Sequence, residues 1–139
     1  MGELDNGLLS YLFFRPLKKR VVEWCGVLDL LWLSRQGCLS PGREGMMPWL
    51  WFGYEIPLIH YRILSAEGDA LTLMLSYPAG EDVTLPVRLE PTRLHHGGRR
   101  WWGRCPLGHV GTPCGRRVAK LYLPPRGLYF GCRTCHTLT

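Results

Sequence analysis

The sequence predicts an α+β fold that is mainly antiparallel β. It combines a short helical segment near the N-terminus, a β-meander and a C-terminal module organised by cysteines. Three observations predict this class. Apolar and polar side chains alternate along three consecutive segments in the middle of the chain. A short apolar stretch upstream of them has both a helix start and a helix stop. Four of the six cysteines follow residue 104.

The helical pattern covers residues 21–36 and contains a short helix over residues 30–36. Asp29 precedes that helix, and its carboxylate can accept hydrogen bonds from the first unpaired backbone N–H groups. Gly37 suits the left-handed conformation in which helices commonly end. So short a helix persists only when it packs against the rest of the protein. We expect its apolar side chains to provide that packing.

A period-two pattern, with apolar residues at every second position, predicts strands over residues 56–65, 70–77 and 83–90. Turn sequences separate them, so the three strands form an antiparallel meander with one buried face. Pro86 has no N–H to donate to a sheet, which predicts that the third strand is an edge. After a Gly-Gly bend, residues 99–102 are expected to form a further strand that leads into the first clustered cysteine.

The clustered cysteines have the spacing Cys-x8-Cys-x17-Cys-x2-Cys, which predicts two pairs of zinc ligands. The first pair is looser than the usual Cys-x2-Cys, so the residues between its cysteines are expected to loop out. They are Cys105, Cys114, Cys132 and Cys135. Between the pairs, residues 116–123 and 128–130 predict a β-hairpin with its turn at 124–127. Thiolate pairs flanking a hairpin predict a C-terminal zinc ribbon. Four thiolates leave zinc no open coordination position, so the expected ion, Zn²⁺, is structural.

Other ligands are possible in this module. His109 follows Cys105 after three residues and His136 adjoins the last cysteine, so a mixed cysteine–histidine site stays open. Cys25 and Cys38 lie outside the spacing pattern. We interpret them as core thiols, with a second metal site as the alternative.

These patterns divide the chain into a lead-in at residues 1–20, a helix and meander at 21–97, and the zinc ribbon at 98–139, packed on the meander. The apolar run at residues 8–14 is far shorter than the roughly 20 residues of a membrane span. Acidic residues near the start argue against a secretory signal. We therefore expect a cytoplasmic protein with no membrane contact.

Charge is distributed unevenly along the chain. Residues 1–91 hold eight Lys/Arg and eleven Asp/Glu, a net charge of −3, whereas residues 92–139 hold nine Lys/Arg and no acid, a net charge of +9. A basic module predicts a polyanion partner, because contacts with phosphates release counterions. DNA or RNA is the expected partner, and a merely solubilising surface is the alternative.

Candidate nucleic-acid contacts are the basic residues of this module and its aromatic rings, which could stack on bases. The basic candidates are Arg99, Arg100, Arg104, Arg116, Arg117, Lys120, Arg126 and Arg133. The aromatic candidates are Tyr122, Tyr129, Trp101 and Trp102. The two tryptophans point to opposite faces if they lie in a strand, so one is expected in the core and the other at the surface.

At these motifs the chain resembles an uncharacterised bacterial zinc-ribbon family. The matching segments are "KKRVVEWC", "LDLLWLSRQGCLSPG", "GEDVTLPVRLEPTRLHHGGRRWW" and "CGRRVAKLYLPPRGLYFGCRTCHTLT". The resemblance covers about residues 18–139 and is most specific in the last segment. It implies that the four clustered cysteines are the metal ligands, and it implies no activity.

The leading functional hypothesis is a nucleic-acid-binding accessory protein of weak sequence specificity, linked to mobile elements or phage. The alternative is a protein-interaction module that docks on a larger assembly, favoured by the apolar lead-in and the six tryptophans. We do not expect an enzyme. A metal-dependent nuclease that uses His95 or His96 lacks the residues for the other catalytic roles.

Overall fold

A computed structural model describes residues 25–51, 54–109, 112–124 and 127–137. The side chains of residues 47–51, 54–58 and 109 lie outside that description. The predicted lead-in at residues 1–20 and the candidate Arg126 also fall outside it. Among the described residues, no helix is long and apolar enough to cross a membrane.

A six-stranded antiparallel sheet forms the body of the protein. Its strands, in chain order, are β2 (Glu44–Trp51), β3 (Tyr54–Ser65), β4 (Leu71–Pro78), β5 (Asp82–Arg93), β6 (Arg99–Arg104) and β9 (Arg117–Val118). They lie in the sheet in that same order, and every neighbouring pair is antiparallel. The predicted meander is therefore present as β3, β4 and β5, extended on both sides.

Two smaller strand pairs and one helix complete the described structure. Strand β1 (Gly26–Asp29) pairs with β10 (Lys120–Leu123), and β7 (Gly108–His109) pairs with β8 (Thr112–Pro113). Helix α1 (Leu30–Arg35) follows β1 directly. The fold is thus mainly antiparallel β with one short helix, as the sequence predicts.

One face of the large sheet is buried. The burial pattern of β4 and β5 alternates residue by residue, and the apolar positions of both strands belong to one core cluster. Leu30 and Leu33 of α1 are 0% and 1% exposed in that cluster. The prediction that the alternating strands bury one face and that the short helix packs on the core is confirmed.

The helix begins and ends as predicted, within one residue. The carboxylate of Asp29 accepts hydrogen bonds from the backbone N–H of Leu31 at 3.0 Å and of Trp32 at 3.2 Å. The helix ends at Arg35, and Gly37 has a φ of 72°. The helical pattern upstream is wrong for Gly26–Asp29, which form β1. Pairing with β10, almost a hundred residues later in the sequence, overrides the local preference.

The prediction that the third meander strand is an edge is wrong. Strand β5 lies between β4 and β6, but only Leu89–Arg93 pair with β6. Pro86 pairs with Met74 of β4 and precedes the stretch that meets β6. The proline lacks an N–H group, but it loses no hydrogen bond to β6, because β6 does not extend as far as Pro86.

The predicted hairpin after Cys114 is also changed. Its first strand breaks at Ala119 into β9 and β10, which pair with different partners. Ala119 instead accepts a hydrogen bond at its carbonyl from the N–H of Leu30, at 3.0 Å. The return strand is reduced to one bridge, between Tyr122 and Gly131. Beyond the break Leu121, Tyr122 and Leu123 are all buried, so buried and exposed residues do not alternate there.

Close contact between α1 and β6 predicts the effect of a single added methyl group. A Cβ atom at Gly103 would lie 2.7 Å from Cδ1 of Leu30, which is fully buried. We expect Gly103→Ala to lower the free energy of unfolding by about 1–3 kcal/mol because it overpacks the core. Thermal or urea unfolding measures this. Gly98→Ala is the control, since its Cβ atom meets only Leu94 at 3.6 Å; equal stability of the two variants would contradict the packing.

Candidate metal centre and nucleic-acid interface

The structure brings the four clustered cysteines together. Their sulfur atoms all lie within 4.8 Å of one another. The Sγ atoms of Cys105 and Cys135 are 3.9 Å apart, as are those of Cys114 and Cys132. Four sulfurs bound to a tetrahedral zinc at about 2.3 Å would lie about 3.8 Å from one another. The described site therefore has the dimensions of a four-thiolate metal centre.

The first pair of cysteines is held by β6 and β9. The N–H of Cys105 donates to the carbonyl of Arg116 at 2.9 Å, and the N–H of Gly115 donates to the carbonyl of Cys105 at 3.1 Å. Gly115 has a φ of 63°, a conformation that glycine adopts without strain. The described residues between the two cysteines, 106–109 and 112–113, lie outside the large sheet, and β7 and β8 pair with each other there.

The second pair lies in a tight turn docked against the sheet. The ring of Phe130 is fully buried and packs edge-to-face on Tyr77, with centroids 5.3 Å apart. The hydroxyl of Tyr77 donates to the carbonyl of Leu128 at 2.7 Å. Because burial disfavours the phenolate, the pKa of Tyr77 is raised to about 12. These contacts anchor the segment that carries Cys132 to strand β4.

Backbone N–H groups point at the sulfurs. The N–H of Cys132 donates to Sγ of Cys105 at 3.2 Å, and the N–H of Cys135 donates to Sγ of Cys132 at 3.4 Å. A hydrogen bond from the backbone of Arg116 lowers the pKa of Cys114 to about 7. Desolvation raises the pKa of Cys105 to about 11 and raises that of Cys135 further. Cys114 is thus the thiol most readily ionised among these three.

The described residues test two of the alternatives for the metal site, His136 as a ligand and a second site at Cys25 and Cys38. Nε2 of His136 lies 3.1 Å from the carbonyl oxygen of Tyr129, and the sulfur cluster does not include this histidine. The side chain of His109 lies outside the described residues. Cys25 and Cys38 are 4% and 9% exposed, belong to apolar clusters and take no part in the sulfur cluster. They have the surroundings expected of core thiols.

A second feature is a group of cations around Trp102 on the opposite, outward face of the sheet. We call this group, together with Glu90, the arginine face. Its cations are Arg88 on β5, Arg100 and Arg104 on β6, and Arg117 on β9. With four cations and one carboxylate, the arginine face has a net charge of +3.

Trp102 holds two of these arginines. The guanidinium carbon of Arg100 lies 4.3 Å from the centroid of the Trp102 ring, and that of Arg117 lies 5.8 Å from it. The indole N–H donates to the hydroxyl of Thr92 at 3.0 Å. Trp101, on the other side of the strand, packs against the core. The prediction that the two tryptophans face opposite ways is confirmed.

The structure separates the other nucleic-acid candidates. Four basic candidates are exposed but do not belong to the arginine face: Arg99, Arg116, Lys120 and Arg133. Tyr129 is 43% exposed, whereas Tyr122 is 9% exposed and packs with Cys25. Because a stacked base needs an open ring face, Tyr122 cannot serve as a stacking residue in this conformation. His95 and His96 are exposed and lie outside the sulfur cluster.

Arg88 belongs to the arginine face but is absent from the sequence-predicted candidates, which all lie in the basic C-terminal module. The signal was available: Arg88 lies in an alternating strand with its neighbours Val87 and Leu89 fully buried. Its outward position follows from that alternation. The sequence analysis also did not predict the bonds of Arg104 within the protein. This side chain forms an ion pair with Glu90 at 2.9 Å and donates a hydrogen bond to the carbonyl of Gly115 at 3.0 Å.

Comparisons with protein-family models, with curated proteins and with solved structures give no match for this chain. The interpretation of both sites therefore depends on their residues and geometry.

The sulfur geometry predicts that the four cysteines stabilise the protein through one metal ion. Cys132→Ser should abolish stoichiometric metal binding and lower the melting temperature, because structural metal binding contributes directly to folding. Metal analysis and thermal unfolding, each with and without a chelator, measure this. Cys38→Ser removes a buried thiol outside the cluster and should keep the metal. Loss of metal in both variants or in neither would contradict the assignment.

The thiol pKa values predict how metal affinity depends on pH. At pH 7 the raised pKa values keep Cys105 and Cys135 protonated in the metal-free protein. Both must lose a proton to bind metal, so affinity should rise by at least about 100-fold per pH unit near neutrality. Below pH 7 the dependence should be steeper, because Cys114 is then protonated as well. Competition with a chromophoric chelator at several pH values measures the slope. A pH-independent affinity would contradict a thiolate site.

Proposed function

We propose that this protein is a zinc-ribbon protein that binds nucleic acid through the arginine face. The metal is structural, since four cysteine ligands leave no open coordination position for a substrate. When bound, the ion would hold two distant chain segments together and so contribute free energy to folding. The chain's own arginines make the contacts with phosphate.

The donor set supports zinc as the metal. A tetrahedral site of four thiolates suits zinc or iron, and it disfavours magnesium, calcium and manganese, which prefer oxygen ligands. Metal analysis of the purified protein tests the identity: one zinc per chain is expected, and stoichiometric iron would contradict it.

The observation that carries the nucleic-acid proposal is a pair of like charges opposed in the sheet. Arg104 and Arg117 are register partners on neighbouring strands. Side chains so placed have Cβ atoms about 4.5–5.5 Å apart, and like charges there destabilise a sheet. A phosphate chain laid across them would relieve that repulsion. This cost in the free protein favours a polyanion ligand over a merely solubilising role.

Contacts of this type determine affinity more than sequence preference. Guanidinium groups that meet the backbone fix the position of the nucleic acid without reading its bases. Arg100 and Arg117 lie on the Trp102 ring, and neither forms an ion pair among the described residues, so their N–H donors can reach a phosphate. We therefore propose weak sequence specificity and a strong dependence on salt.

Substituting one arginine tests the site. Arg117→Ala should weaken binding of a labelled oligonucleotide by about 3- to 10-fold and reduce the slope of log affinity against log salt by about one. Fluorescence anisotropy at several salt concentrations measures both quantities. Arg35→Ala is the matched control, because it removes an exposed arginine at the end of α1.

Two results would contradict the proposal. One is that neither single-stranded nor duplex DNA or RNA binds the wild-type protein between about 50 and 200 mM salt. The other is that Arg35→Ala and Arg117→Ala weaken binding equally, since that would indicate a diffuse charge effect.

A protein-docking module is the second candidate, favoured by exposed apolar residues on β1 and α1. Val27, Leu31 and Trp32 are 41%, 36% and 50% exposed. Exposed large aromatic residues are enriched in protein interfaces. A partner that stays bound stoichiometrically after nuclease treatment, and is lost with Trp32→Ser but not with Arg117→Ala, would favour this candidate.

A further inference from the structure

The carboxylate of Glu90 lies between two of the cations of the arginine face. Its Oε2 accepts a hydrogen bond from Nε of Arg88 at 2.8 Å. Its Oε1 accepts from Nε of Arg104 at 3.0 Å and lies 2.9 Å from Nη2 of the same side chain. Both carboxylate oxygens are therefore bonded to guanidinium groups from adjacent strands.

The edge of Arg104 that faces Glu90 is the edge that best fits a phosphate. Nε and one Nη of an arginine form a planar fork that matches two oxygens of a carboxylate or phosphate. Nη1 of Arg104 donates instead to the carbonyl oxygen of Gly115, at 3.0 Å. A backbone phosphate can take the fork of Arg104 only if the carboxylate of Glu90 moves aside.

Arg104 does not depend on Glu90 alone for its position. Its hydrogen bond to Gly115 ties it to the turn between Cys114 and β9. Arg100 and Arg117 are held by the Trp102 ring rather than by the carboxylate. Neutralising Glu90 should therefore leave three of the four cations in place and raise the charge of the face from +3 to +4.

On the basis of the proposed function, we infer that Glu90 is an internal competitor of the nucleic-acid backbone. Its carboxylate holds, in the free protein, the position between Arg88 and Arg104 that a phosphate takes in the complex. The ligand class that displaces it is a chain of several phosphates, which can engage Arg100 and Arg117 at the same time. A single phosphate group has no such additional contacts.

The ionisation of Glu90 is consistent with this role. Its hydrogen bond from Arg88, followed by that from Arg104, holds the pKa of Glu90 below its ordinary value. The carboxylate is therefore charged throughout the neutral range and competes with phosphate at physiological pH.

The experiment compares Glu90→Gln with wild type in binding a fluorescein-labelled single-stranded oligonucleotide of about 20 nucleotides. Removing the competing charge should tighten binding by about 3- to 10-fold at moderate salt. Inorganic phosphate, used as a competitor, should inhibit Glu90→Gln at a lower concentration than it inhibits wild type. Glu90→Thr, which suits an outward strand position, serves as a second variant if glutamine disturbs folding.

Glu81→Gln is the matched control. It removes the same charge from the exposed turn before β5, nine residues from Glu90 along the strand and about 30 Å away. At that distance salt screens the charge, so binding should stay within about twofold of wild type. Circular dichroism confirms that all variants are folded before their affinities are compared.

The outcomes distinguish failure of the Glu90 inference from failure of the proposed nucleic-acid binding. Tighter binding by Glu90→Gln and Glu90→Thr, with Glu81→Gln unchanged, supports the inference. Unchanged or weaker binding by both Glu90 variants overturns it, while the dependence of wild-type binding on Arg117 still supports the proposed function. If wild type binds no nucleic acid, the proposed function fails and the inference fails with it.

Discussion

The pairing of β6 with β9 is the constraint on which both sites depend. Gly103–Val118 and Arg104–Arg117 are its two register pairs, and Cys105 continues directly from β6 into the sulfur cluster. The backbone bond from Cys105 to Arg116 extends the same pairing. A metal ion that binds Cys114 on the β9 side and Cys105 on the β6 side holds the two strands in register. The same register sets where Arg117 lies relative to Trp102. The metal centre and the arginine face are thus two consequences of a single strand pair.

Electrostatics on the outward face is the second theme. The arginine face holds four guanidinium groups and one carboxylate, which contacts only Arg88 and Arg104 of these cations. Arg104 and Arg117 are opposed across a strand pair. Structural needs alone would favour neutral or oppositely charged residues there, because like charges in register destabilise a sheet. Trp102 and Glu90 reduce the repulsion in different ways: the ring through cation–π contact, the carboxylate through hydrogen bonds. This excess of positive charge beside the four clustered cysteines is the basis of the proposal that the protein binds an anionic ligand.

Local signals were enough to predict some of these features. The helix cap at Asp29 and the cysteine spacing are each visible within a short stretch of sequence. The buried face of β4 and β5 follows from the two-residue repeat of a strand. The pairing of β1 with β10, the break at Ala119 and the burial of Tyr122 depend on contacts between distant segments, which no short window contains. Alternation did mark Arg88 as outward, but its proximity to the later arginines required the strand order. The family resemblance, the zinc-ribbon assignment, the cytoplasmic location and the nucleic-acid partner stay predictions.

X-ray absorption spectroscopy at the metal edge of the purified protein counts and identifies the atoms bound to the ion. We expect zinc with four sulfur neighbours at about 2.3 Å and no shell of lighter atoms. Nitrogen or oxygen ligands at about 2.0–2.2 Å, or fewer than four sulfurs, would contradict it.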